Sequence, residues 1–157
     1  MATTTKQIID AILAGVDSKE ELEEDAISSL HRIFQHTFLE ALDLIDRGKI
    51  TRFTHQGRDF IRVAGSDKTY HVYLDLMDVR IDKEVEGNSA VITGLGSKVA
   101  TTWCPCEGFF SRIIVSTEEY MCEHVLAALL AIRLGKLPER RCNNHELYLN
   151  FFDDLHV

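Results

Sequence analysis

The chain has 157 residues, enough to bury a core of its own, and its length fits a single domain. Its apolar content of 45% and charged content of 27% are typical of globular proteins, and the lack of an apolar run of roughly 18 residues excludes a transmembrane helix. The net charge of −8 argues against a stand-alone nucleic-acid binder, because such proteins usually present a basic face. We expect no signal peptide, so the four cysteines indicate metal ligation in a reducing compartment rather than a disulfide framework.

The N-terminal part, residues 1–47, has the apolar periodicity of amphipathic helices. A short helix is predicted over residues 5–15, followed by a longer one that starts at the capping-box pair Ser18 and Glu21 and is broken near Ser28. The apolar residues of the longer helix recur every three or four positions and form one stripe that we expect to be buried. They are Leu22, Ala26, Leu30, Ile33, Phe34, Phe38, Ala41, Leu42 and Ile45.

Residues 48–98 are predicted to form a small sheet. Strands are expected over residues 50–55, 60–64 and 70–74, joined by short turns that contain glycine. This order predicts a three-stranded antiparallel meander. Residues 75–98 are interpreted as either an inserted hairpin or an exposed loop.

Four candidate metal ligands lie in residues 99–135. Cys104 and Cys106 are one residue apart, and after a gap of fifteen residues Cys122 and His124 are again one residue apart. Three thiols and one imidazole suit tetrahedral zinc, with Zn–S near ~2.3 Å and Zn–N near ~2.0 Å. We therefore expect one structural zinc ion, because four protein ligands leave no coordination position for a substrate.

The spacing of Cys122 and His124 restricts where the next helix can begin. Residues i and i+2 point about 200° apart inside a helix, so Cys122 must precede the helix and His124 must lie in its first turn. Ser116 and Glu119 also have the form of a capping box, which would start the helix earlier and separate the two ligands. We expect metal binding rather than the capping box to set the helix start, since a structural zinc contributes about 10–16 kcal/mol of binding free energy in small peptides and a cap about 1 kcal/mol of stability.

Two β-rich runs flank the first pair of ligands. Residues 99–103 and 109–115 are predicted to form a hairpin whose connection carries Cys104 and Cys106. With the helix that follows, they give a ββα zinc finger.

The C-terminal part, residues 136–157, begins with a linker marked by Pro138. A short helix is predicted from about His145 to Phe152. Cys142 is interpreted as a free structural cysteine, with the alternative that Cys142 and His145, spaced C-x-x-H, offer other metal ligands. The fold class is therefore α+β: N-terminal helices, a small antiparallel sheet, the finger and a short C-terminal helix. We expect these parts to form one domain, residues 1–157.

Two basic clusters are the candidates for contact with phosphate groups. They comprise Lys49, Arg52, Arg58 and Arg62 in the sheet, and Arg133, Arg140 and Arg141 after the finger. The alternative is that these side chains are scattered surface charge without a ligand.

The pattern C-x-C, a gap and C-x-H resembles the SWIM-type zinc finger, and Cys104, Cys106, Cys122 and His124 match all four of its ligands. The stretches 41–47 (ALDLIDR), 50–51 (IT) and 65–70 (GSDKTY) are similar to those of the SWIM subunits of Shu-type complexes. This resemblance covers roughly residues 41–134. Residues 75–98 are longer here than the corresponding connection in that family.

The resemblance implies a nuclear protein that is not itself an enzyme. It would be a subunit of a complex that promotes homologous recombination and the repair of DNA double-strand breaks. Its partner would be a paralogue of the RecA-type recombinases, and the pair would support assembly of the recombinase filament on single-stranded DNA. Contact with that DNA would come through the complex, and no membrane or small-molecule substrate is implied.

Two other interpretations stay open. A SWIM-type module of another kind, transposase-derived or prokaryotic-like, would bind DNA by itself. A thiol oxidoreductase that uses Cys104 and Cys106, or a cysteine hydrolase that uses His124, is disfavoured by Pro105 between the cysteines and by the lack of a thioredoxin-like βαβ pattern.

Overall fold

The structure, a computed structural model, describes residues 5–16, 21–55, 58–65, 68–74 and 102–145. Three helices come first: α1 (Thr5–Gly15), α2 (Glu24–Phe34) and α3 (His36–Asp46). Three strands follow: β1 (Ile50–His55), β2 (Arg58–Ala64) and β3 (Thr69–Val72). The remaining elements are a π-helix (Phe109–Val115), α4 (Glu123–Arg133) and β4 (Glu139–Arg141). The α+β class is confirmed.

The predicted long N-terminal helix is two helices that meet at Gln35, so the break predicted near Ser28 is wrong. Gln35 has φ 47° and ψ −117°, outside the helical region, while Ser28 lies inside α2. The break allows Phe34 and Phe38, on either side of it, to be buried in the same core. It also lets α3 pack along α4 while α2 packs against α1 and α3. Five residues of the predicted apolar stripe are buried, divided between the two helices, and the other four are half-buried. The buried residues are Leu30, Phe34, Phe38, Ala41 and Ile45.

The predicted meander is confirmed, because β2 pairs antiparallel with both β1 and β3. The sheet is nevertheless mixed rather than purely antiparallel. β4 pairs parallel with β1, with Arg52 opposite Glu139, and gives the strand order β3-β2-β1-β4. Because β4 consists of three exposed charged residues, no apolar alternation marked it as a strand.

The main core lies between one face of the sheet and the helices. The sheet contributes Ile50, Ile61, Val63 and Val72, and α4 packs on them with every residue from His124 to Ala128 buried, together with Leu130 and Ala131. A helix that is apolar on all sides belongs in the interior. Residues that precede α4 directly are therefore held at the edge of the core.

A second small cluster lies on the other face of the sheet. Phe53 and Phe60 stack there with ring centroids 5.4 Å apart, and Cys142 packs beside them. The Cys142 thiol lies 3.8 Å from the carbonyl oxygen of Thr54. Cys142 is thus a buried cysteine within an apolar cluster, in agreement with its interpretation as a structural cysteine.

The predicted strand over residues 109–115 is wrong, because Phe109–Val115 is a π-helix. The β-branched residues of this run favour a strand by propensity, but the backbone amides of Phe109 and Phe110 donate to Sγ and the carbonyl of Cys106, at 3.2 and 3.3 Å. These bonds begin a helical turn. In the preceding run, Trp103 forms a single antiparallel bridge with Tyr73, and residues 99–101 lie outside the described residues.

Some predictions fall where the structure makes no statement. Residues 75–98 and the predicted C-terminal helix beyond residue 145 lie outside the described residues, although residues 144 and 145 are helical. The helix start predicted at the capping box of Ser18 and Glu21 is wrong, because α2 begins at Glu24 after an extended Glu23. No helix in the described ranges is long and apolar enough to span a membrane.

Candidate metal centre

The structure brings the four predicted ligands together. The ligand atoms of Cys104, Cys106, Cys122 and His124 all lie within 4.8 Å of one another, and all four residues are buried. Ligand atoms placed tetrahedrally around zinc at about 2.3 Å are separated by roughly 3.8 Å. The group therefore has the size and the donor set to hold one metal ion.

The start of α4 places the second ligand pair as predicted. Cys122 is the N-cap residue with extended backbone (φ −83°, ψ 166°), and α4 begins at Glu123, so His124 lies in the first turn. The competing capping box does not start a helix, because residues 116–119 form a turn in which the amides of Glu118 and Glu119 donate to the Arg112 carbonyl. The positive end of the α4 dipole also favours thiolates at this position.

The first ligand pair is positioned by the turn that leads into the π-helix. Cys104 follows the Trp103–Tyr73 bridge, which ties the ligand segment to the end of β3. Cys106 Sγ accepts a hydrogen bond from the backbone amide of Phe109, and such bonds to a ligand sulfur orient it and stabilise its charge. The Trp103 ring packs edge-on against Phe109 with centroids 5.5 Å apart.

The sequence did not identify the residues that enclose His124. The Tyr70 ring packs against its imidazole with centroids 4.2 Å apart, and a Cβ added to Gly65 would lie 3.5 Å from Nε2. Glu123 Oε1 lies 3.4 Å from Nδ1 on the other side. Tyr70 lies in β3 and Gly65 directly after β2, so their spacing from the ligands carried no signal, whereas Glu123 could have been noted as the neighbour of a ligand.

The three thiols are close enough for their hydrogen bonds to shift one another's pKa. Hydrogen bonds from Cys104 and then Cys122 lower the pKa of Cys106, and the bond to Cys106 is the largest cause that raises the pKa of Cys104. The pKa of Cys122 rises to about 12: its bond to Cys104 lowers it, but its bond to Cys106, burial and the charge of Cys106 together raise it more. One thiolate held by two thiols is the favoured state without metal, and full ionisation requires a bound cation.

His124 supplies the test of whether a metal fits. Its Nδ1 is buried and makes no hydrogen bond to any described residue. Glu123 Oε1 lies 3.4 Å from it without forming a hydrogen bond, so its hydrogen-bonding capacity is not met, and coordination of a metal by the imidazole would meet it. Cys104, Cys106, Cys122 and His124 would therefore hold the ion. Their chemistry, three soft thiolates and one imidazole, fits zinc and leaves no open coordination position.

The predicted phosphate contacts are not gathered into one site. Arg52 pairs with Asp59 and with Glu139 (Nη1 to Oε1, 3.0 Å), and its hydrogen bond to Asp59 is the main cause of its raised pKa. Strand register places Arg62 and Arg140 on one face of the sheet and Arg52 and Arg141 on the other.

The remaining basic candidates are spread over other elements. Lys49 is exposed before β1 and Arg133 is exposed at the end of α4. Arg58 lies at the start of β2. A role of these residues in binding phosphate stays a prediction.

The chain is similar to curated proteins whose names contain the terms zinc finger and SWIM domain. The chain is 20% identical over 149 residues to "Zinc finger SWIM domain-containing protein 7" of Danio rerio, a match that covers 94% of this chain and 89% of that protein. It is 24% identical over 153 residues to the protein of the same name of Mus musculus, covering 94% and 84% of the two chains. The Homo sapiens protein is 24% identical over 133 residues, covering 83% and 77%.

No protein-family model matches the chain, and no solved structure matches it. The relatives cover most of the chain, and the ligand set found by spacing meets in space. Together these findings show that the chain is similar, over most of its length, to proteins named for a SWIM-type zinc finger.

Proposed function

We propose that this chain is a non-catalytic, zinc-binding adaptor subunit of a Shu-type complex in the nucleus. With a paralogue of the RecA-type recombinases, it promotes homologous recombination and repair of DNA double-strand breaks by supporting assembly of the recombinase filament on single-stranded DNA. The observation that carries the proposal is the buried Cys₃His group at the N-terminus of α4, in a chain whose relatives are named as SWIM proteins.

A structural role for the metal supports the adaptor function. Four protein ligands fill a tetrahedral zinc site, so the ion has no position for a water or substrate. The ligands fasten α4 to the segment after β3, and α4 packs on the sheet and on α3. Zinc would thus hold a scaffold whose outer surface meets a partner.

The sequence supports a need for that partner. It contains no G-x-x-x-x-G-K-[ST] motif, so an ATPase partner would supply the nucleotide site. The net charge of −8 is unfavourable for strong DNA binding by this chain alone.

Affinity purification of the tagged full chain from its own cells, followed by mass spectrometry, tests the proposal. We expect a RecA-type paralogue in near-equimolar amount, and its loss from a Cys122→Ser chain. Recovery of the wild-type chain as a monomer without such a paralogue would contradict the adaptor function.

DNA binding by the isolated chain separates the proposal from the alternative of a DNA-binding SWIM module. A module that neutralises several phosphates shows an affinity that falls steeply with salt. We expect weak binding of single-stranded DNA by the chain alone. Tight, strongly salt-dependent binding would favour the alternative.

A further inference from the structure

A groove of about 460 Å³ lies beside the metal centre, between the corner where α2 meets α3 and the residues that lead into α4. Its lining combines apolar side chains, among them Phe34 and Met121, with several carboxylates. Gln35 and Thr117, the two described non-glycine residues with positive φ, lie at the α2–α3 corner and in the turn before α4. The shape of the groove therefore depends on two sharp turns.

The groove carries surplus negative charge. The carboxylates that line it are Glu40, Glu118, Glu119 and Glu123, and His36, which also lines it, has its Nδ1 3.8 Å from Glu40 Oε1. Arg112 also lines it, but its two terminal nitrogens are already 3.0 Å from Glu119 Oε1 and 3.3 Å from Glu123 Oε2. Glu119 Oε2 is buried and accepts no hydrogen bond from any described residue. A buried carboxylate oxygen without a donor is an acceptor for a cation from outside the chain.

Exposed apolar side chains accompany the groove along the same metal-held segment. Tyr120 lines the groove and is 51% exposed, and on the π-helix Phe110 and Val115 are 60% and 66% exposed. Exposed aromatic residues often anchor protein interfaces, and Tyr120 is such a residue within the groove itself.

We propose that this groove is the docking site for the partner protein, and that it takes an apolar segment of the partner that carries an arginine or lysine. The inference rests on the proposed function, since the partner is the RecA-type paralogue. The cation enters among Glu118, Glu119 and Glu40, and its apolar neighbours pack on Tyr120. A nucleic acid does not match this surface, because its phosphates would face the carboxylates.

The test uses the full chain co-expressed with the RecA-type paralogue of the same organism. Glu118→Lys and Tyr120→Ser alter exposed groove residues, and the matched controls Asp46→Lys and Ile27→Ser make the same changes on exposed positions outside the groove. We expect each groove variant to weaken the affinity for the paralogue about tenfold or more, and the controls to change it less than about twofold. Zinc content and melting temperature should match those of the wild-type chain.

A photo-crosslinking amino acid at position 120 identifies the occupant. We expect a crosslink to a paralogue peptide in which an arginine or lysine lies among apolar residues. A crosslink to an acidic peptide, or to single-stranded DNA, would overturn the stated chemistry.

The outcomes distinguish a failure of the groove assignment from a failure of the proposed function. If the wild-type chain binds the paralogue and the groove variants bind it as tightly as the controls, the groove assignment is overturned and the adaptor function stands. If the wild-type chain and the paralogue do not associate, both are overturned.

Discussion

At the scale of single residues, the four cysteines of this chain divide into two kinds although all are buried. Cys104, Cys106 and Cys122 meet around one point with His124, while Cys142 packs between aromatic rings on the other face of the sheet. Burial alone does not distinguish them. The distances between ligand atoms distinguish Cys142 from the other three cysteines. Cys142 therefore provides an internal control for metal binding.

Replacing Cys122 by serine is expected to release zinc, because the site loses one of its thiolates. Structural zinc contributes about 10–16 kcal/mol in small peptides, which equals or exceeds the ~5–15 kcal/mol stability of a typical domain. We expect less than one-tenth of the wild-type zinc per chain by atomic emission, and loss of hydrogen-exchange protection in α4.

Cys142→Ser is the matched control. It removes a buried thiol of the same type that belongs to no group of metal ligands among the described residues, so zinc content should stay at one per chain. Equal zinc loss in both variants would show that the loss reflects general unfolding rather than ligation.

Gly65 is expected to matter because it lies against the ring of the histidine ligand. A Cβ there would lie 3.0 Å from the Lys68 carbonyl oxygen and 3.2 Å from the Tyr70 ring. Gly65→Ala should lower the free energy of unfolding by about 1–3 kcal/mol through overpacking. Denaturant unfolding measures this.

Gly15→Ala is the comparison for that change, since a Cβ at this helical glycine meets no atom within 4 Å. It should be neutral or stabilise the chain by up to about 1 kcal/mol. The same destabilisation at both glycines would contradict the role of the packing around His124.

At the scale of elements, the corner between α2 and α3 is a strained turn at a residue that is not glycine. Residues in sparsely populated backbone regions cost about 1–3 kcal/mol, and glycine relieves most of that cost. Gln35→Gly should therefore raise the melting temperature. His31→Gly, at an exposed position inside α2, should lower stability by about 1 kcal/mol. Destabilisation by both variants would show that the corner is not strained.

The elements also show what the sequence could predict. Tight ligand spacing identified the metal residues and, by excluding a joint position inside a helix, the start of α4 at Glu123. Apolar periodicity identified the buried stripe and the meander. These signals are local, and the structure preserves them.

The elements that were missed depend on contacts made by the folded chain. The π-helix is started by hydrogen bonds to Cys106 against the β-propensity of its residues. β4 forms by backbone pairing of three charged residues with β1. The contact of Tyr70 with His124 joins β3 to the finger, and the spacing of these residues along the chain does not predict it.

At the scale of the whole molecule, the metal site joins the start of α4 to the segment that follows the Trp103–Tyr73 bridge. We expect these two parts of the core to separate when no metal is bound. Chelation is expected to unfold at least α4 and the segment that precedes it, because full ionisation of the clustered thiols needs a cation. Circular dichroism should show loss of helix with chelator and recovery on adding zinc. An unchanged spectrum after complete zinc removal would contradict this.

Acid should have the same effect as a chelator. Without metal, the pKa of Cys104 is raised and that of Cys122 rises to about 12, so protons compete strongly for these two thiols. Zinc must displace those protons, and its affinity therefore falls as the pH is lowered. A competition titration with a zinc indicator between about pH 6 and pH 8 should show affinity rising with pH. Affinity independent of pH would argue against thiolate ligands.

X-ray absorption at the zinc edge of the purified full chain tests the central claim most directly, because it reports the atoms around the metal. The account predicts one zinc per chain with a shell of three sulfur atoms near ~2.3 Å and one nitrogen near ~2.0 Å. A shell dominated by oxygen or nitrogen, or a chain that folds fully without zinc, would contradict it.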